Sequence, residues 1–366
     1  MRVALLTSAN GWRGSGASYA KIARGLRDRG HVAHLVTAVP KLTDRLRDEG
    51  LEVTQIRGRD TGPREVWALR RTLRAIGAQA IVADTPRDVR LSFYATLVHR
   101  ARILYRYNLN YRQPRTHLMD RVYTGRVAAC VYQSRYIQDD AVAQARYMAR
   151  IPSYQVPNGY DTARYAPRPD AARAFRERYG IAPGVRVVLS AAKLTRNKGH
   201  DVAIAALNRV RHEGLELVYV VCGDGQLEGE LVSIARRCGL PSVFTGLLST
   251  RDMIAAYSAA DLVVHPSLQE IFPNAVGEAM ACARPVIAAD AGGTPELLGR
   301  DGAAGLLVPP ADVDALADAV GGVLAQADQL RAMGEAARRR IEDQFPIRRM
   351  IDGYEHAIAE VVGQSG

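Results

Sequence analysis

The sequence predicts an α/β protein made of two parallel-sheet domains, and three observations carry that reading. Short apolar runs of strand length, among them Val3 to Thr7, Arg186 to Ser190 and Asp261 to His265, alternate with amphipathic stretches of helix length. Several of these runs end in glycine- or proline-rich turns that lead straight into a helix, as parallel strands joined by crossover helices require. The 366 residues, 48% of them hydrophobic, suffice for two domains of about 150–200 residues with real cores.

In the first half, strand Val3 to Thr7 runs into Ser8-Ala-Asn-Gly-Trp-Arg-Gly-Ser-Gly16 and then a helix to about Arg29, closed by Gly30 before strand His31 to Val36. Gly14 and Gly16 would let the backbone approach a ligand closely, with a helix N-terminus behind them. The spacing lacks the third glycine of a dinucleotide fingerprint, which disfavours NAD. Leu51 to Ile56, Ala80 to Ala83 and Arg102 to Tyr105 read as further strands, with helices at Val66 to Ile76 and Val89 to Arg100. Asp84 and the run Arg106-Tyr107-Asn108 leave the C-terminal ends of two of these strands, the edge where open α/β sheets bind ligands. His99 is expected on the helix before, as a packed or surface residue.

From Tyr105 to Tyr123, tyrosines and arginines interleave (Tyr105, Arg106, Tyr107, Tyr111, Arg112, Arg115, Arg121, Tyr123). Such groups stack on sugar rings and grip phosphates. They also suit nucleic acid, though no RNA or DNA motif accompanies them, or an amphipathic helix resting on a membrane. Cys130 to Ser134 reads as a strand, with a helix through Ala145. Val156-Pro-Asn-Gly-Tyr-Asp161 contains a tight Asn-Gly turn, and Ala166-Pro-Arg-Pro169 marks a linker. The expected domains are therefore 1–165, joined by the C-terminal helix 346–366, and 166–345.

The second half opens on Arg186 to Ser190, followed by Lys193-Leu-Thr-Arg-Asn-Lys198-Gly199. Two lysines five apart at a strand's C-terminal end can close on one diphosphate as point charges; the alternative is a pair of solvated loop lysines. Strand Leu217 to Cys222 ends in Gly223-Asp-Gly225-Gln226, and Val243 to Thr250 forms a strand and loop before helix Arg251 to Ala259. The stretch His265 to Leu298 is the most informative. Glu270 lies on a loop after a buried strand, and Glu278, eight positions on, lies in the helix opened by Pro273 and Asn274. The backbone N–H groups of Asn274 to Val276 suit an anion such as a diphosphate. Carboxylates beside that anion are placed to accept from sugar hydroxyls instead. Helices follow at Ala311 to Ala325, Asp328 to Asp343 and Arg348 to Val362.

Composition narrows the classes further. The four cysteines (Cys130, Cys222, Cys238, Cys282) form no CxxC pair and imply neither a disulfide framework nor a zinc site. No apolar run approaches the ~20 residues of a spanning helix, and the first residues read as a strand rather than a signal peptide, so a cytoplasmic protein is expected. Charge is uneven: residues 1–166 hold 28 Lys+Arg against 13 Asp+Glu, the rest 21 against 25. That asymmetry points to an anionic partner for the first half, a phosphorylated acceptor, an anionic membrane surface or nucleic acid; the alternative is arginines that merely decorate solvated faces.

Glu270 through Glu278, the Ala279-Met280-Ala281 that follows, and Gly292-Gly293-Thr-Pro-Glu296 together resemble the signature of family-four retaining glycosyltransferases. That family has the GT-B fold, two Rossmann-like domains facing each other across a cleft. The resemblance implies transfer of a sugar from a UDP- or GDP-linked donor to an acceptor hydroxyl, with retention and without a metal ion or other cofactor. Catalytic roles fall on Glu270, Lys198 and Lys193. Donor binding falls on Gly14, Gly16, Gly223, Gly225, Gln226, Leu248, Phe272, Pro273, Asn274, Ala275, Val276 and Glu278, and acceptor binding on Asp84, Arg106 and Asn108. Two departures stand out: family members usually carry arginine where Lys193 stands, and often histidines where Asp84 and the Arg106–Asn108 run stand. The expected setting is cell-surface glycan synthesis (lipopolysaccharide, capsule or glycolipid), with a glycan, lipid-linked or small-molecule acceptor, no nucleic acid, and peripheral contact with the inner face of the membrane. Rivals are a nucleotide-sugar 2-epimerase, a phosphorylase-type enzyme, a natural-product glycosyltransferase, and a binding protein that keeps the fold without turnover.

Overall fold

The computed structural model describes residues 1–8, 12–56, 61–107 and 125–363. Asn108 and the run from Tyr111 to Tyr123 lie outside them. The chain divides into two compact units, Met1–Gly159 with Ile347–Gly366, and Tyr160–Pro346.

The first unit holds a seven-stranded sheet in the order β3-β2-β1-β4-β5-β6-β7, in which every pairing is parallel. Its strands are β1 Arg2–Thr7, β2 Val32–Thr37, β3 Val53–Gln55, β4 Ala80–Ala83, β5 Arg102–Arg106, β6 Val127–Tyr132 and β7 Ser153–Gln155. The second holds six parallel strands in the order β10-β9-β8-β11-β12-β13. These are β8 Arg186–Ala191, β9 Leu217–Cys222, β10 Ser242–Gly246, β11 Leu262–His265, β12 Val286–Ala289 and β13 Gly305–Val308. Helices cover both faces of such sheets, so central strands are apolar throughout rather than alternating. Strands β4, β9, β11 and β12 are buried at every position.

Each sheet grows outward from its first strand in one direction and then in the other. The reversal falls between β1 and β4 in the first unit and between β8 and β11 in the second. These are the topological switch points, where loops part at the carboxyl ends of the strands and leave a crevice.

Several elements differ from the sequence reading. Helix Pro40–Asp48 and the short strands β7 and β13 were not anticipated, and neither was helix Pro169–Arg178, which starts on the last residue of the Ala166–Pro169 stretch read as linker. The last of these starts on a proline at its first turn, a position proline tolerates, and buries only Phe175. The helix expected at Val89 to Arg100 runs from Pro86 to Ala95, because Thr85 and Asp88 form a capping box that starts it early. His99 therefore follows the helix, where its Nδ1 accepts from the Ala101 N–H.

The inter-unit boundary falls at Gly159/Tyr160 rather than 165/166, because Tyr160 and Tyr165 are both buried in the core of the second unit. The final helix, Ile347–Gly363, packs in the first unit, where a Cβ at Gly25 would run into Ile351. No helix among the described residues is long and apolar enough to cross a membrane.

Candidate active site

The switch point of the second unit is assembled by three loops that touch through glycines. After β8 the chain runs through Lys193 and turns at Arg196–Lys198 into Gly199, which adopts the left-handed conformation (φ +65°). A Cβ at Gly199 would collide with the Pro266 carbonyl in the loop after β11. The same two loops are joined by hydrogen bonds from Leu268 N to Asn197 O (2.9 Å) and from Ser267 Oγ to Asn197 O (3.2 Å). From the third loop, after β12, Gly292 (φ +60°) lies against the Glu270 carbonyl, which accepts from Gly293 N at 3.2 Å. Both glycines sit where a side chain would push the loops apart.

This clamping brings Lys198 and Glu270 together. Glu270 Oε1 accepts from Lys198 Nζ at 2.6 Å and from His265 Nε2 at 2.8 Å. An ionised carboxylate only accepts, so the imidazole nitrogen facing it carries the proton. Oε2 of Glu270 has no hydrogen-bond partner among the described residues. Burial by itself would raise the Glu270 carboxyl, but the hydrogen bonds and charges of His265 and Lys198 outweigh it and bring the group down to about 2. Glu270 is thus a held anion with one oxygen tethered and the other open. Lys193 is exposed, two residues past the end of β8.

Helix Asn274–Ala281 starts directly after Pro273, with no side-chain cap and no acid in its first turn. Its positive end is therefore not neutralised by its own residues. Phe272, Pro273 and Val276 are buried, and Asn274 and Ala275 partly so. The helix rests on Tyr160, whose ring lies so close to Gly277 that a Cβ there would overlap it. Glu278 is partly buried rather than solvated: Tyr257 Oη donates to its Oε2 at 3.5 Å. Burial first, and then the Glu278 charge, push the Tyr160, Tyr165 and Tyr257 phenols well up.

The Gly223–Gln226 turn has a structural reason for its glycines. A Cβ at Gly225 would strike the Leu194 backbone, and Leu194 N in turn donates to Asp224 O at 2.8 Å. Gly223 is buried and bridges to Gly246, while Gln226 is exposed and Leu248 packs partly against the core.

The switch point of the first unit is built differently. Asp84 and Arg106, expected as open acceptor ligands, are 0% and 4% exposed and pair with each other at 3.1 Å. Asp84 also accepts from Thr7 Oγ1 (2.8 Å), and Arg106 Nε donates to Tyr354 Oη on the C-terminal helix (3.1 Å). The nearby Asp88 accepts from Ser8 N (3.0 Å) and Thr85 N (3.1 Å). Tyr105 and Tyr107, read as stacking groups, are instead core residues with ring centroids 5.7 Å apart. Gly14 is exposed with open space where its Cβ would be, and Gly16 is buried just ahead of helix Ala17–Asp28.

His265 is the site residue that sequence reasoning passed over. The available signal was a polar side chain closing an otherwise apolar strand, Leu262-Val-Val-His265, five positions before Glu270.

The fold is GT-B: two Rossmann-like α/β domains, the second carrying a lysine–carboxylate–imidazole cluster at its switch point. Residues 172–340, which hold that cluster, match the family described as glycosyl transferases group 1. Over 147 residues the chain is 34% identical to a GDP-mannose-dependent alpha-(1-6)-phosphatidylinositol monomannoside mannosyltransferase of Mycolicibacterium smegmatis, covering 38% of each. It is 33% identical over 148 residues to a D-inositol 3-phosphate glycosyltransferase of Corynebacterium jeikeium, 38% of this chain and 35% of that one. The chain thus spans little more than a third of the length of these curated relatives. Among solved structures, a glycosyltransferase of Rickettsia africae superposes with a TM-score of 0.86 at 18% identity, over 100% of this chain and 99% of that one. The Anabaena protein HepE, in complex with UDP-glucose, gives 0.85 at 22% identity over 100% of both.

Proposed function

We propose that this chain is a retaining, metal-independent glycosyltransferase that moves a hexose from a UDP- or GDP-linked donor to an acceptor hydroxyl. The observation that carries the proposal is Glu270 held by Lys198 and His265 at the switch point, beside the uncapped start of helix Asn274–Ala281. The donor diphosphate meets the N–H groups at that helix start, with Lys198 and the exposed Lys193 as counter-charges. The open Oε2 of Glu270 accepts from a hydroxyl of the transferred sugar, and Glu278 from the ribose. Departure of the diphosphate leaves oxocarbenium character on the sugar, and the acceptor hydroxyl attacks from the same face without a protein nucleophile, its proton passing to the departing phosphate oxygen. Lysines and a helix dipole neutralise the leaving group in place of a cation.

The relatives support this donor class: one is named for GDP-mannose, and HepE was solved with UDP-glucose. For the acceptor, the basic first half favours a phosphorylated or lipid-linked glycan, of the kind used in cell-surface glycan synthesis. Peripheral contact of a cytoplasmic enzyme with an anionic membrane fits the same half. Trp67, Tyr94, Leu97 and Val98 are exposed there, along with Arg64, Arg71, Arg74 and Arg100, and Arg70 ties the two helices by donating to Tyr94 O at 2.8 Å.

The test is thermal unfolding with UDP, GDP, ADP and dTDP, on the wild type and on Lys198→Ala, followed by donor turnover with and without acceptor. One nucleotide at 100 times its Kd should stabilise the wild type by about 2.7 kcal/mol and the variant much less. No shift with any of the four sinks the proposal. A shift without turnover on any donor favours a binding protein.

A further inference from the structure

We infer that His265 is a positioning residue: it holds and aims the Glu270 carboxylate at the transferred sugar once Lys198 has turned to the diphosphate. The inference rests on the donor-site reading above.

Lys198 and His265 donate to the same oxygen, Oε1, at 2.6 and 2.8 Å. Two tethers on one oxygen fix the rotation of the carboxylate and leave Oε2 without a hydrogen-bond partner among the described residues. They are not equivalent tethers. Lys198 ends a flexible four-carbon stem with three N–H donors and is 20% exposed. A doubly charged diphosphate arriving beside it competes directly with Glu270 for its ammonium group. His265 cannot move in the same way. It is the last residue of β11, paired in register with Ala288 of β12, and its side chain is 5% exposed.

When the donor enters, His265 is the contact that keeps Glu270 in place. Glu270 is largely buried, and burial is the largest influence on its carboxyl, acting to protonate it; the His265 hydrogen bond is the largest influence in the other direction. A protonated Glu270 would be a poorer acceptor for a sugar hydroxyl. Among the described residues, Lys198 and His265 face Glu270, the buried Tyr160 phenol also feels its charge, and His200 interacts with His265, Lys198 and Asp201. Burial drives His200 down to about 4, so it stays neutral; its Nδ1 lies 3.2 Å from Tyr219 Oη. His200 therefore adds no charge of its own at neutral pH.

The experiment compares binding of bare UDP and GDP with binding of UDP-glucose and GDP-mannose, by calorimetry on the full chain. The variants are His265→Phe, which keeps a ring without the donor, His265→Gln, whose amide reproduces an N–H near the Nε2 position, and Lys198→Ala. In His265→Phe the bare nucleotide should bind within about twofold of wild type, while the extra affinity from the sugar disappears. A carboxylate misplaced by about 1 Å should lower kcat by about 10²-fold, and the acid limb of kcat/KM should move to higher pH. His265→Gln should recover most of the sugar affinity. Lys198→Ala should do the reverse of His265→Phe, weakening bare nucleotides most. Equal nucleotide-to-sugar affinity ratios in wild type and His265→Phe overturn the inference, and so does a His265→Gln variant no better than His265→Phe. Failure of the wild type to bind any nucleotide overturns the donor-site reading itself, a result distinguishable from both.

Discussion

The two sheets reverse their strand order in the same way, and each places acidic side chains at the reversal, yet the two switch points are finished in opposite ways. In the first unit the charges face inward: Asp84 and Arg106 pair under cover, and Asp88 closes a helix cap. In the second, Lys198 and Glu270 pair at the rim, 20% and 12% exposed, with one carboxylate oxygen open. Asp88 and Glu270 show the consequence. Burial pushes Asp88 up to about 6 despite the Ser8 and Thr85 hydrogen bonds that lower it, whereas two cationic or N–H donors bring Glu270 down to about 2. Topology supplies the crevice twice. Which crevice keeps a chemically available charge depends on what the flanking loops place beside it.

The sharpest way to break this comparison is to unpair the inward charges. Asp84→Ala leaves Arg106 buried without its carboxylate and should cost about 3–5 kcal/mol, read as a lowered unfolding midpoint. Nucleotide binding at the second unit should survive under conditions where the variant is folded. If Asp84→Ala instead costs less than 1 kcal/mol, the first switch point is not the internal anchor described.

Next in size is Gly277→Ala. The added methyl overlaps the Tyr160 ring and should cost about 1–3 kcal/mol while weakening nucleotide binding, because the Asn274–Ala281 helix must shift. A double variant with Tyr160→Leu should recover much of the stability. Absence of any recovery would show that the contact with Tyr160 is not what requires glycine.

The pH dependence sharpens the contrast, because the two carboxylates act with opposite sign. Glu270, lowered from 4.5 to about 2, contributes stability that is present above 4.5 and lost as pH falls through about 2. Asp88, raised from 3.8 to about 6, binds a proton more readily in the native state, so stability declines as pH rises from 3.8 to about 6. Midpoint-against-pH curves should flatten below 4.5 in Glu270→Gln, and between about 4 and 6 in Asp88→Asn. Identical changes in both variants would remove the distinction.

The smallest effect is expected at Gly14→Ala, whose Cβ meets nothing within 4 Å. Stability should stay within about 0.5 kcal/mol. Any loss of ligand binding there would then report a ligand approaching that loop, not a damaged fold.

Much of the second unit was legible in the sequence, because its signals are local. Glu270 and Glu278 stand on either side of a helix start, and Lys198 precedes a glycine; each is read from neighbours along the chain. The misreadings share a cause. Asp84, Arg106, Tyr105 and Tyr107 were correctly placed at strand ends, but whether a strand-end side chain faces solvent depends on what covers it. Here the cover includes Tyr354, 248 positions away from Arg106. His265 was missed because a histidine after apolar residues looks like a buried strand end, and its partner is visible only once the loop folds back. Gly225 was assigned to the donor, but the close approach there is made by Leu194 of the same chain, and Gly277, which lies against Tyr160, was not singled out at all.

The sequence by itself determined the alternation of strands and helices, hence two parallel sheets, and the positions of the loops that end them. Periodicity and turn chemistry are properties of adjacent residues, and they survive without any knowledge of packing. Only the tertiary structure decided which charges became core and which remained at the rim. It placed Tyr354 over Arg106, set His265 beside Glu270, and ran Gly199 and Gly292 against the loop that carries Glu270. Burial and pairing are set by residues distant in sequence, and they decide whether a carboxylate is closed inside the fold or kept at the rim of a crevice.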